Sequence, residues 1–95
     1  MIYQQLVFRV HAILRMFQRR FNERDIRNGM EFGEVIEEYP DDKPYPSRLV
    51  MGQIGLRPIH IVVADDNEAH ETIVITVYEP DLNQWEADFK RRKRS

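Results

Sequence analysis

His11, Arg15 and Arg19 recur at four-residue steps near the start of the chain. On a helix that spacing sets them in one line. An imidazole and two guanidiniums on such a line could hold a phosphate, each fork binding two oxygens. The plainer alternative is a half-buried imidazole beside two solvated guanidiniums. A second histidine lies in Arg57-Pro-Ile-His-Ile-Val-Val-Ala64, where Ile59, Ile61 and Val63 alternate with His60 and Val62. Strand alternation sends these two sets to opposite faces. A buried imidazole without a partner is costly, and Thr76 and Tyr78 can supply a hydroxyl and a phenol if the following strand pairs with this one in register. The plainer alternative is a satisfied core histidine. Metal-independent RNA cleavage needs a base for the 2′-OH, cations for the charged phosphorane and an acid for the leaving 5′ oxygen. Histidine can serve as either acid or base near neutral pH.

The elements that must position these groups read as follows. Leu6, Val10, Leu14, Phe17 and Phe21 recur at three- and four-residue steps and predict a first helix over residues 4–21, with that stripe as its core face. Asn22, with Asp25 three positions on, predicts a capped short second helix. Gly29 suits its left-handed stop, and Ile26, Met30 and Phe32 pin it to the core. Strands are expected at Glu34–Tyr39, Arg48–Ile54, Pro58–Ala64 and Glu71–Tyr78. Pro40, Pro44 and Pro46 force a loop after the first strand. Asp65-Asp66-Asn67-Glu68 joins the last two strands in a hairpin, and His70 falls in that turn and takes no role. Asp81 caps a C-terminal helix with Leu82, Trp85 and Phe89 on one face. The expected whole is a single α+β domain over residues 1–95, with a helix at each end of a small antiparallel sheet of about four strands.

The 95 residues carry a formal net charge of −2 and no cysteine. That removes disulfides, thiolate catalysis and cysteine-ligated metal, and fits a cytoplasmic protein. No apolar run is long enough for a membrane span. The opening residues, interrupted by Arg9 and Arg15, do not read as a signal peptide. The small net charge hides a segregation: residues 1–29 sum to +4, residues 30–88 to −11 and residues 89–95 to +5. A polyanionic partner would therefore meet the chain ends. Alternatively, the basic ends complement an acidic sheet rim. No metal-binding spacing, Gly-rich phosphate loop or nucleophile elbow occurs, so neither metal nor cofactor is expected.

Several segments together carry a resemblance. They are His11-Ala12-x-x-Arg15-Met16, Tyr39-Pro-Asp-Asp, Pro46-Ser-Arg-Leu49, Arg57-Pro-x-His60-x-Val62, Ile75-Thr-Val-Tyr-Glu-Pro80 and Trp85. In this order they resemble a small bacterial family of unknown function, grouped with RelE/ParE-like toxins and related mRNA interferases, over roughly residues 11–92. The resemblance implies a RelE-like microbial ribonuclease fold, mRNA as substrate and a zinc-finger antitoxin as partner. Where that pattern has a glycine-containing turn after the first helix, this chain has Arg20-Phe21-Asn22. Joined to the chemistry above, it makes His11, Arg15, His60 and Tyr78 the candidate catalytic residues. Arg19, Arg57 and Thr76 are the candidate substrate contacts. The expected function is a toxin acting as a metal-independent endoribonuclease. The alternative is a non-catalytic module that binds RNA or protein through its basic terminal helices.

Overall fold

The apolar run before and after His11 divides into two elements instead of one long helix. The computed structural model describes residues 3–94, and its order is β1 (Gln5–Phe8), α1 (Val10–Arg19), α2 (Glu23–Phe32), β2 (Glu34–Tyr39), β3 (Ser47–Ile54), β4 (Arg57–Asp66) and β5 (Glu71–Tyr78). The helix expected from residue 4 is therefore corrected to a strand and a ten-residue helix. Gln5–Phe8 lies parallel to Glu71–Val74 of β5 and supplies hydrogen-bond partners along that edge. Arg9 stays extended and lets the chain turn into α1.

The expected core face of α1 is also corrected. The helix buries Ala12 and Met16, while Val10, Leu14 and Phe17 of the larger stripe are 75%, 55% and 86% exposed. Leu6 and Phe21 are buried, but they stand on β1 and beyond the helix end. A small Ala against β5 lets the helix lie close, so the bulkier residues turn outward. Arg20 ends α1 in the left-handed region at φ 59°, where no glycine stands, and its N–H reaches the carbonyls of Met16 and Phe17.

Asn22 caps α2 as the sequence indicates. Its side chain accepts from Asp25 N at 2.8 Å, and the Asp25 carboxylate accepts from Asn22 N at 2.9 Å. Gly29 does not stop this helix, which runs on to Phe32. Its role is close approach: a Cβ on Gly29 would stand 2.8 Å from Ile61 Cδ1. Ile26 and Met30 are fully buried, whereas Phe32 is exposed.

The sheet is mixed and five-stranded, in the order β1-β5-β4-β3-β2, with only the β1–β5 pair parallel. Both helices join one core with Val50, Ile59, Ile61, Val63, Val74 and Val77. They therefore cover one face of the sheet. The described residues form an α+β fold of two helices and five strands, and none of these helices is long and apolar enough to cross a membrane.

The expected C-terminal helix does not form. Asp81 accepts from the N–H groups of Asn83 and Gln84, but this makes a single turn. Trp85 then bridges Arg92 as a small antiparallel pair, closed by Glu86 N to Arg91 O at 2.8 Å and Lys93 N to Gln84 O at 2.8 Å. Phe89 takes a positive φ between them. Burial of Trp85 against the sheet decides this path, since it is 2% exposed while Leu82 on the expected helical face is 54% exposed.

Candidate functional site

His60 stands on β4 between Ile59 and Ile61 and points away from the helices. It is fully buried. Its Nε2 lies 2.7 Å from the Phe89 carbonyl and its Nδ1 3.1 Å from the Tyr78 hydroxyl. A carbonyl can only accept, so Nε2 carries the proton, and the neutral ring accepts from Tyr78 at Nδ1. The Trp85 ring packs edge-on at 4.4 Å. Burial pushes the His60 pKa below its ordinary value, outweighing the Phe89 carbonyl that favours the charged form. This histidine is a clasp for the C-terminal segment, with both nitrogens engaged.

His11 cannot join it. Ala12 and Met16 bind α1 to the core that holds Ile59 and Ile61, so His11 and His60 lie on opposite sides of the sheet. The two-histidine acid–base pair expected from sequence is therefore not assembled. His11 is exposed and lines an open hollow of about 500 Å³ with Arg9, Val10 and Ile75. Arg15 and Arg19 are exposed on the same helix, and Arg15 Nη1 contacts Gln18 at 3.3 Å.

Arg57 has a structural occupation as well. Its Nη2 donates to Arg19 O at 2.6 Å and its Nη1 to Arg20 O at 3.2 Å. The same guanidinium pairs with Glu79 at 2.9 Å and lies 4.1 Å from the centre of the Phe21 ring. It caps the carbonyls at the end of α1, where positive charge favours the helix dipole. Thr76 faces Val62 across β4–β5 and shares the Tyr78 face. Of the candidate residues, the structure brings together His60 and Tyr78, with Thr76 on the same strand face, and leaves His11, Arg15, Arg19 and Arg57 on the helix side.

A different polar group surrounds the Tyr78 end of the clasp. Tyr39 donates to Glu37 Oε2 at 2.9 Å. Arg92 Nε stands 3.4 Å from Glu37 Oε1, and its guanidinium lies 4.6 Å from the centre of the Trp85 ring. Glu37 Oε1 is shielded from solvent and accepts no hydrogen bond among the described residues. Burial raises the pKa of both Tyr78 and Tyr39, and the Glu37 carboxylate raises Tyr39 further. Both phenols therefore keep their protons at neutral pH. Beside this group an open groove of about 520 Å³ is lined by Glu86, Arg91, Arg92 and Arg94.

Part of the basic tail is used internally. Lys90 pairs with Glu34 at 3.0 Å and Arg92 with Glu37, both on β2. The segregated charges of the sequence thus meet, basic tail against acidic strand. Among the described residues, no three His, Cys, Asp or Glu side chains gather closely enough to hold a metal ion.

Residues 8–79 match the family described as a domain of unknown function, DUF4258. The chain belongs to that family. The DUF4258 match takes in Glu37, Tyr39, His60 and Tyr78 and ends before Trp85 and Arg92. No curated protein and no solved structure matches the chain.

Sequence reading missed Glu37, Tyr39 and Arg92 as a group. Two-residue spacing on the first expected strand was the available signal for Glu37 and Tyr39. Arg92 was visible only as one member of a basic run.

Proposed function

We propose that this DUF4258 protein is a toxin of the RelE-like kind, a metal-independent endoribonuclease that cuts mRNA on the sheet face opposite the helices. The observation that carries the reading is the placement of Arg92 against Glu37 beside the Tyr39 phenol. A phosphodiester arriving in the adjoining groove would take the Arg92 guanidinium and release the Glu37 carboxylate. Glu37 then accepts the 2′-OH proton while the 2′ oxygen bonds to phosphorus. The bond to the 5′ oxygen breaks, Tyr39 gives that oxygen a proton, and Glu37 returns one to Tyr39. The products are a 2′,3′-cyclic phosphate and a 5′-hydroxyl. Arg92 supplies the charge stabilisation such a transfer needs. His60 and Tyr78 act as positioning residues by holding the segment that carries Arg92. The partner that would restrain such a toxin is an antitoxin, of the zinc-finger type that the resemblance implies.

Induced expression in bacteria tests this reading. It should arrest growth and yield cleaved transcripts ending in cyclic phosphate, and Glu37→Gln or Arg92→Ala should abolish both effects in soluble, folded protein. Normal growth with intact RNA at full expression contradicts it. The groove lined by Arg91, Arg92 and Arg94 also favours a second reading, RNA binding without cleavage. Its signature is retention of RNA that weakens steeply with salt.

A further inference from the structure

Helix α1 carries a second apolar face that stays exposed among the described residues. Val10, Ile13, Leu14 and Phe17 follow the i, i+3, i+4, i+7 spacing, and they are 75%, 51%, 55% and 86% exposed. At about 100° per residue they form one stripe, turned well away from the buried Ala12 and Met16. Isolated exposed apolar residues are ordinary, but a contiguous helical stripe marks a contact surface. Arg9 stands at its N-terminal end and Arg20 at its C-terminal end, while Arg15 and Arg19 lie on the flank turned away from it. Among the described residues, none of these four arginines pairs with a carboxylate.

We infer that α1 is a docking surface for an acidic amphipathic helix of a partner protein. The apolar stripe supplies the i/i+3/i+4/i+7 anchors by which helices recognise one another. Arg9 and Arg20, at the two ends of the stripe, select a partner with Glu or Asp bordering its own apolar face. A second copy of this chain fits less well. Symmetric pairing of α1 with α1 sets arginine against arginine, and an asymmetric contact with the acidic sheet region would not close into a dimer. A membrane fits less well too, because the stripe spans one ten-residue helix fixed to a sheet. The inference is independent of the proposed nuclease site, which lies on the other face of the sheet.

The test uses the full chain and two synthetic peptides of one amphipathic helical design, with Leu and Ala on one face. One has Glu along its edges and the other has Lys. Fluorescence anisotropy should show saturable binding of the Glu peptide and at least tenfold weaker binding of the Lys peptide. Leu14→Ser combined with Phe17→Ser should weaken the Glu peptide at least tenfold. Both positions are exposed, so the fold is retained, and an unchanged circular dichroism spectrum checks this. Equal binding of both peptides, or none, overturns the inference. So does concentration-dependent self-association that the double variant abolishes, or saturable binding to phosphatidylglycerol vesicles that exceeds peptide binding. RNA cleavage by the double variant should equal that of the parent chain, so failure here leaves the Glu37–Arg92 reading separately testable.

Discussion

His60 Nε2 donates a 2.7 Å hydrogen bond to the backbone carbonyl of Phe89, tying the centre of β4 to the C-terminal segment. The contact is made from inside the fold, since His60 is fully buried and packs on Trp85. It decides where Trp85 and Arg92 sit, and so whether the polar group around Glu37 exists at all.

Replacing His60 by Ala should release that segment. The change leaves the Phe89 carbonyl and the Tyr78 hydroxyl without their partner and opens a void beside Trp85, together costing about 2–4 kcal/mol. Urea unfolding measures the loss. Emission of Trp85, the one tryptophan in the chain, should shift to the red in the folded variant as water reaches the ring.

The same histidine makes stability depend on pH. Its folded pKa is lowered by burial, so the unfolded chain binds the proton more readily. The stabilisation is complete above the unfolded value of about 6.5 and is lost as pH falls from there toward the folded value. Unfolding free energies at pH 7.5 and pH 5 should therefore fall with acidity in the parent chain. His60→Gln cannot take up that proton and should show a shallower fall.

Arg57 supports α1 and should prove more important to stability than an exposed arginine usually is. Arg57→Ala removes two donors to the end of the helix and the contact with Phe21. With the pair to Glu79 partly exposed, and so discounted for solvent, the loss should be about 1–2 kcal/mol. Arg57→Lys lacks the fork and should recover only part of it. Hydrogen exchange at Arg20 and Phe21 should accelerate in both variants.

Gly33 separates α2 from β2 where no side chain fits. A Cβ there would stand 2.2 Å from Gly29 O and 2.9 Å from Met51 O, both of them backbone atoms. Gly33→Ala should destabilise the fold by about 2 kcal/mol through forced backbone movement. A thermal melt checks it, and an unchanged midpoint would contradict this packing.

The strands β2 to β5 were legible because each is an apolar or alternating run bounded by turn residues. The Asn22 capping box was legible from two residue types at fixed spacing. The Gln5–Phe8 strand was hidden because Leu6 also fits the helical period of Val10 and Leu14. The orientation of α1 was misread for a related reason: the helix has two apolar faces, and the one with larger residues points outward. Leu82, Trp85 and Phe89 keep helical spacing, yet the partner of Trp85 is His60, which is remote in sequence. At the site, strand alternation gave the His60–Tyr78 pair. The Phe89 carbonyl carries no residue signature, and the meeting of Glu37 with Arg92 depends on the path of the last segment.

The central claim is that the Glu37–Arg92 group cleaves RNA without metal. The direct measurement is the cleavage of an end-labelled single-stranded RNA by the purified chain in excess EDTA. Products should end in 2′,3′-cyclic phosphate, and Glu37→Gln and Arg92→Ala should each lower the rate by about 100-fold or more, with the far-ultraviolet circular dichroism spectrum unchanged. RNA left intact by the folded parent chain, or cut equally by both variants, would contradict the claim.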